Sequence, residues 1–251
     1  MRALILAAGR GSRMKIRTED RPKCLVELAG HALLDLQLAA IRSAGIKDVA
    51  IVSGYMGHKL EGRGLRLFRN ERWNESNMVA SLRVADEWLR GDACIVSYAD
   101  IFYPKETVES LAAGIDDLAI SYDPDWLTLW SARFEDPLSD AETFRRDAGG
   151  QLVEIGRRPK AAAEVEGQYM GLLKFSPAGW ARIRSLLDRL PAGEIDRLDM
   201  TSLLSRLIQA GERIGTVPTA PGWGEIDSET DLAYYDEEVQ AGRLRLRTEV
   251  S

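Results

Sequence analysis

RALILAAGRGSRM, residues 2–14, is an apolar run closed by a glycine-rich turn. An apolar run that does not alternate and stops at glycine reads as a parallel strand buried on both faces. The turn after it offers main-chain N–H groups at Gly9, Gly11 and Ser12 that an anion can approach closely. It matches neither standard phosphate motif. Met14 stands where a dinucleotide fingerprint needs its third glycine, and no Lys-Ser or Lys-Thr follows as in a P-loop.

Working outward, Leu34, Leu38 and Ile41 recur at helical spacing over 33–44 until Gly45 closes the segment, and DVAIVS (48–53) is a second apolar strand. Strand, helix and strand in this order make a right-handed parallel βαβ unit. Met78, Leu82, Ala85 and Leu89 share one face of a helix predicted over 77–89, which leads to an apolar strand at 93–97 ending in Tyr98-Ala99-Asp100. A helix at 107–113 and a strand at 118–122 complete the first half. Beyond Asp123 shorter alternating pieces, including 151–155 and 168–175, predict an inserted antiparallel layer, with Glu135–Glu142 as a solvated acidic loop. Helical periodicity returns at 180–190, 200–210 and 228–240. The predicted class is α/β, a doubly wound, mostly parallel open sheet of Rossmann-like type with a small antiparallel insertion. Residues 1–251 are expected to form a single domain, with 1–122 the nucleotide-binding half and 123–251 the acceptor-binding half. Ligands in such sheets sit at the carboxyl ends of the strands.

The 251 residues are 45% hydrophobic and 29% charged, enough for one large core and too apolar for a disordered chain. No window approaches 18 uninterrupted apolar residues, and the apolar start lacks the cleavage site of a signal peptide, so a cytoplasmic location away from membranes is expected. The net charge of −6 argues against general nucleic-acid binding. Cys24 and Cys94 are too few for a disulfide framework and lack metal-ligand spacing; they are expected reduced and buried. With only His31 and His58, chemistry falls to carboxylates, lysines and arginines.

Arg13 and Lys23 add two cations to the glycine turn, and the Arg21-Pro22 pair sets the backbone just before the lysine, a combination suited to a polyphosphate. LILAAGRGSRM (4–14) followed by RPKCLVELAG (21–30) resembles the signature of nucleotidyltransferases that join a nucleoside triphosphate to a phosphorylated small molecule. The resemblance covers nearly the whole chain. It implies a nucleotide site at Leu6, Ala7, Ala8, Gly9, Gly11, Ser12, Arg13 and Lys23, with Arg13 and Lys23 also catalytic. VSYADI (96–101) and GWGEIDSETDL (222–232) are similar to the segments that carry the family's metal-binding aspartates, here Asp100 and Asp227, which would hold Mg²⁺. EGQYMGLLKFS (166–176) resembles the acceptor-side strand, and LVEIGRRP (152–159) stands where relatives carry a basic residue facing the acceptor's phosphate. Arg157 or Arg158, with Arg158 taken as the contact, and Glu166, Tyr169 and Glu225 are thus expected at the acceptor. In the loop, Ile16-Arg17-Thr18 replaces the Pro-Leu-Thr run of many relatives.

Gly54, Asn77 and Ser81 are candidates for holding the base, since an amide and a hydroxyl can pair with a pyrimidine edge. Trp126, Trp130 and Trp223 can box an ammonium or serve as core anchors. Singly, each polar residue has a plain structural use: Asp100 as a turn cap, Asp227-Ser228 and Asn77 as helix N-cap residues. Within the family the motifs NESNMVASL, SYAD, DMTSLLSRLI and WGEID are most similar to cytidylyltransferases acting on phosphocholine, 2-aminoethylphosphonate or phosphoglutamine. The expected partners are CTP or another nucleoside triphosphate and a small phosphorylated acceptor, with a homodimer as the oligomer. The alternatives are a sugar-1-phosphate nucleotidyltransferase using UTP, dTTP or GTP, and a non-catalytic nucleotide-binding regulator.

Overall fold

A computed structural model describes residues 1–247. Seven strands form the central sheet: β1 (Arg2–Ala7), β2 (Val49–Ser53), β3 (Arg66–Arg69), β4 (Cys94–Tyr98), β5 (Leu118–Asp123), β6 (Gln168–Phe175) and β7 (Gly215–Pro218). Their order across the sheet is β7-β5-β6-β4-β1-β2-β3. β6 runs antiparallel to both its neighbours and the other six strands run parallel to one another.

Period-two alternation along each strand sends side chains to opposite faces, and here both faces are covered. Leu4 and Leu6 of β1 enter one core with Val52, Val96 and Ile120, while Ala3, Ile5 and Ala7 enter the other with Ile51, Ile95 and Ala119. That is why the strands read as unbroken apolar runs. Helices α1 (Leu33–Ser43) and α4 (Lys105–Ala113) cover the second core through Leu34, Leu38, Ile41, Val108 and Leu111. The first core is covered by α2 (Met78–Val84), α3 (Asp86–Gly91), α6 (Pro177–Leu187), the short α7 (Ala192–Ile195) and α8 (Met200–Gln209). Its largest fully buried side chain, Trp180, stacks on Phe175 and donates its indole N–H to Asp86 at 2.9 Å.

Three expectations are corrected. The helix predicted over 77–89 is two helices, because Ala85 leaves helical geometry at φ −92°, ψ 24°. Residues 168–175 do not belong to an inserted layer. They are β6, in the middle of the central sheet, paired with both β4 and β5. Six of its eight residues in a row from Met170 are buried, because both faces of the sheet are covered there. The antiparallel insertion itself is the smaller pair Phe144–Arg146 and Leu152–Ile155, and it packs Phe144, Leu152 and Ile155 onto the first core. Finally α5 (Trp126–Arg133) is a helix that the alternating pattern after Asp123 did not predict. Among the described residues no helix is long and apolar enough to cross a membrane.

The last helix, α9 (Glu229–Gln240), starts with a capping box in which Ser228 Oγ accepts from the Asp231 N–H and Asp231 accepts from the Ser228 N–H. Leu232 and Tyr235 seat it on a third cluster with Met14, Leu28, Phe102 and Ile226, below the carboxyl edge of the sheet.

Candidate active site

Asp100 lies in the turn that follows β4. Gln37, fully buried on α1, donates its amide to the carbonyls of Tyr98 at 2.8 Å and Ile101 at 2.5 Å, clamping the turn on either side of the aspartate. Ile101–Phe102 then pairs antiparallel with Gly224–Glu225, and the Ile226 N–H donates to the Asp100 carbonyl at 2.9 Å. This contact carries Glu225 and Asp227 to the end of β4. A side chain at Gly224 would block it, since a Cβ there would lie 2.5 Å from the Phe102 and Tyr235 rings. Carboxylate oxygens of Asp100, Glu225 and Asp227 consequently lie within 4.8 Å of one another.

Lys23 stands between them. Its ammonium donates to Asp100 Oδ2 at 2.7 Å and to Asp227 Oδ1 at 2.5 Å, and the Arg13 guanidinium meets Asp227 Oδ2 at 3.0 Å. Burial alone would push the lysine's pKa down; the two carboxylates outweigh it and hold the ammonium above its ordinary value. Burial, reinforced by the charges of Asp227 and Asp100, pushes the Glu225 carboxyl up to about 8. Asp100 Oδ1 is buried with no hydrogen-bond partner among the described residues. Three converging carboxylates and an unpartnered buried oxygen fit a hard divalent cation, which takes oxygen donors and tolerates phosphates and water in the remaining positions.

The glycine turn is built around the same lysine. Gly11 adopts φ +68°, and a Cβ there would lie 2.8 Å from Lys23 Cβ and Cδ. Glycine thus meets two needs at once, the left-handed backbone and the passage of the lysine. The loop with Ile16-Arg17-Thr18 closes on Thr18, whose buried hydroxyl donates to the carbonyls of Gly11 at 3.2 Å and Lys15 at 3.3 Å. Tyr55, just past β2, donates its phenol to the carbonyls of Thr18 at 3.0 Å and Glu19 at 3.2 Å. Its own N–H reaches the Ala8 carbonyl at 2.9 Å, so the ends of β1 and β2 and the loop are tied together. Arg10 is exposed, with its guanidinium 5.5 Å from the Tyr55 ring centroid.

A family model described as a MobA-like NTP transferase domain matches residues 3–157, more than half the chain. The chain belongs to this nucleotidyltransferase family. It is 35% identical over 248 residues to the CTP:phosphoglutamine cytidylyltransferase of Campylobacter jejuni, covering 92% of this chain and 98% of that protein. In fold it is similar to the inositol-1-phosphate CTP transferase of T. maritima, with TM-score 0.75, 18% identity and 96% of each chain covered. The CTP:phosphocholine cytidylyltransferase of Streptococcus pneumoniae is similar as well, with TM-score 0.72, 21% identity and 95% and 98% of the two chains covered.

In this nucleotidyltransferase a cleft of about 310 Å³ runs from Arg13, Glu225 and Asp227 to a second acidic group. Tyr169, expected at the acceptor, lines it, and its ring meets Tyr98 edge to face at 5.7 Å. Glu166 and Arg158 are not among its lining residues. Glu166 is exposed and held on the small hairpin, where it accepts from the Arg146 N–H at 2.9 Å, and Arg158 is exposed beyond Leu152–Ile155. Sequence reasoning missed Asp140, Glu142 and Asp199. The end of the acidic run is not a solvated loop: Ala141, Thr143 and Phe144 are buried, and Asp140 and Glu142 face the cleft opposite Asp199 and Thr201. Burial and then the Asp199 charge push the Glu142 carboxyl above its ordinary pKa. Alternation of Asp140, Ala141, Glu142 and Thr143 was the available signal.

Of the tryptophans, Trp130 lines the cleft. Trp126 and Trp223 are core anchors whose indoles donate to Val165 O at 3.0 Å and Asp123 Oδ2 at 2.9 Å. On the nucleotide side, the side chains of Leu6 and Ala7 are buried in the two cores, which leaves main chain at the strand end to face a ligand. Gly54 has no room for a Cβ, with the Ala8 carbonyl and Trp73 Cβ both at 2.5 Å. Asn77 caps α2, accepting from the Met78 N–H at 2.7 Å, and the buried Ser81 hydroxyl accepts from Asn70 at 2.9 Å. Both of these polar side chains are therefore engaged within the protein. Cys24 and Cys94 are free and buried, and burial pushes the Cys24 thiol up to about 12.

Proposed function

We propose that this nucleotidyltransferase transfers CMP from CTP to a small phosphorylated acceptor that carries an ammonium group, with Mg²⁺ as the cation at Asp100 and Asp227. Phosphoglutamine is the first candidate acceptor, ahead of phosphocholine and 2-aminoethylphosphonate. The observation that carries the acceptor class is the cleft, whose lining adds the carboxylates of Asp140, Glu142 and Asp199 to Glu225 and Asp227. Glu142, partly buried and with the Asp199 charge beside it, favours a positive partner. A sugar phosphate brings hydroxyls and no cation to set against Glu142.

An oxygen of the acceptor's phosphate bonds to the α-phosphorus, the bond from that phosphorus to the bridging oxygen of pyrophosphate breaks, and pyrophosphate leaves with the electron pair. The acceptor phosphate, with a second pKa of about 6, is already a dianion at neutral pH, so no general base is required. The obstacle is the repulsion of two polyanions. A divalent cation supplies charge stabilisation at the reacting phosphates. Lys23 and Arg13, on the loop and at its lip, are the cations the chain itself offers to the triphosphate, with the N–H groups of Gly9, Gly11 and Ser12 beside them. Residues 1–122 thus hold the nucleotide and 123–251 the acceptor, within one domain. The 35% identity to the Campylobacter jejuni enzyme supports both the base and the acceptor assigned.

Pyrophosphate release with Mg²⁺ across CTP, UTP, GTP, ATP and dTTP, each with phosphoglutamine, phosphocholine, 2-aminoethylphosphonate and glucose-1-phosphate, tests the proposal. Turnover is expected with CTP and an ammonium-bearing acceptor. Turnover confined to glucose-1-phosphate would overturn the acceptor class, and nucleotide binding without turnover would return the protein to a regulatory role.

A further inference from the structure

Arg133, at the end of α5, is the most deeply buried charge near the site, with its side chain 1% exposed, and it has no place in the chemistry above. Its Nε donates to Asp231 Oδ1 at 3.0 Å. Its Nη1 faces Glu225 Oε2 at 3.9 Å and is buried without a hydrogen-bond partner among the described residues. The guanidinium lies 5.3 Å from the Trp130 ring centroid and 5.0 Å from that of Phe134, which restrict its orientation. Asp231 in turn accepts from the main-chain N–H groups of Asp227 at 3.1 Å and Ser228 at 2.9 Å. One guanidinium is therefore connected to two of the three clustered carboxylates: to Glu225 through space, and to Asp227 through the backbone that Asp231 holds.

We propose that Arg133 is a positioning residue of the cation site, holding Glu225 and the Asp227 main chain in the arrangement that binds a divalent metal. The inference rests on the reading of Asp100, Glu225 and Asp227 as a metal site. Three carboxylates within 4.8 Å repel one another and need a fixed counter-charge behind them. Lys23 and Arg13 pair with Asp100 and Asp227, and in the proposed reaction the triphosphate draws on both; the ion pair of Glu225 is with Arg133. Arg133 is not among the residues lining the cleft, so its charge stays in place whatever the substrates do. An arginine suits the task better than a lysine: its planar fork reaches carboxylates on two different segments, the strand end at Glu225 and the start of α9. Outer-shell partners of this kind tune the affinity of a metal site without touching the metal.

The test measures binding of Mn²⁺ alone by electron paramagnetic resonance, without nucleotide, to the wild-type chain and to Arg133→Lys and Asp231→Asn. The first variant keeps a buried cation and loses the fork; the second keeps the arginine and breaks its link to Asp227. Each is expected to weaken Mn²⁺ binding by roughly tenfold to a hundredfold while circular dichroism stays native. If one variant fails to fold, the other decides. Mn²⁺ affinity within twofold of wild type in either folded variant would overturn the assignment, because a purely structural arginine would lower the melting temperature and leave the metal untouched. Absence of Mn²⁺ binding by the wild-type chain would instead overturn the metal reading, and this inference with it.

Discussion

The Ile226 N–H donates to the Asp100 carbonyl at 2.9 Å, a main-chain bond that helps join two loops far apart in the chain into one site. Asp100 ends a parallel strand of the first half and Asp227 precedes the last helix; the two-residue pairing of Ile101–Phe102 with Gly224–Glu225 sets their separation. Carboxylates that repel are thus held together by backbone, with Lys23 between them.

Gly224→Ala tests the dependence on that pairing. The new methyl would meet the Phe102 and Tyr235 rings at 2.5 Å, so the segments must part. A loss of about 1–3 kcal/mol in denaturant stability is expected. Displacing Asp227 by even an ångström should reduce turnover by about a hundredfold. Native-like kcat in this variant would show that the pairing does not set the site's geometry.

Lys23→Met removes the ammonium that bridges Asp100 and Asp227. Turnover should fall by at least about a hundredfold, the usual consequence of losing a preorganised charge at a phosphoryl centre. Mn²⁺ affinity of the nucleotide-free protein should rise, because the cation no longer displaces an ammonium from the same oxygens. Weaker Mn²⁺ binding would mean that the lysine supports the metal rather than competing with it.

Glu142→Gln and Asp199→Asn probe the far end of the cleft. Each should raise the KM of an ammonium-bearing acceptor by about tenfold, or ~1.4 kcal/mol, and leave the KM of CTP unchanged. Steady-state kinetics with both substrates varied separates the two; equal effects on CTP would place these carboxylates elsewhere in the mechanism.

Tyr55→Phe deletes the phenol that donates to the Thr18 and Glu19 carbonyls and leaves the ring in place. The loop that carries Arg13 should loosen, raising the KM of CTP by about fivefold, equivalent to ~1 kcal/mol, with kcat nearly constant. A change confined to kcat would argue that the loop acts on the transition state alone.

Much of the architecture was legible because burial on both faces leaves its mark in composition. β1, β2 and β4 appear as apolar runs, and α1 and α8 as periodic faces, since each element must hide one side from water whatever its neighbours are. β6 was misassigned for the same reason: alternation and apolar content say that Gln168–Phe175 is a strand, but not which strands it inserts between, nor in which direction. The break at Ala85 and the helix α5 were set by packing that local spacing does not encode.

The same division runs through the site. From the sequence alone came the glycine turn, Arg13 and Lys23, because phosphate recognition requires particular residue types at short spacing, whereas Asp100 and Asp227 came from the resemblance of their segments to those of the family. Tertiary structure alone decided that Glu225 joins the two aspartates, that Arg133 stands behind them, and that Asp140, Glu142 and Asp199 close the cleft while Glu166 and Arg158 do not. Electrostatic interactions depend on distance through space, and the chain brings these charges together only after the Gly224 pairing and the seating of α5 and α9 have formed.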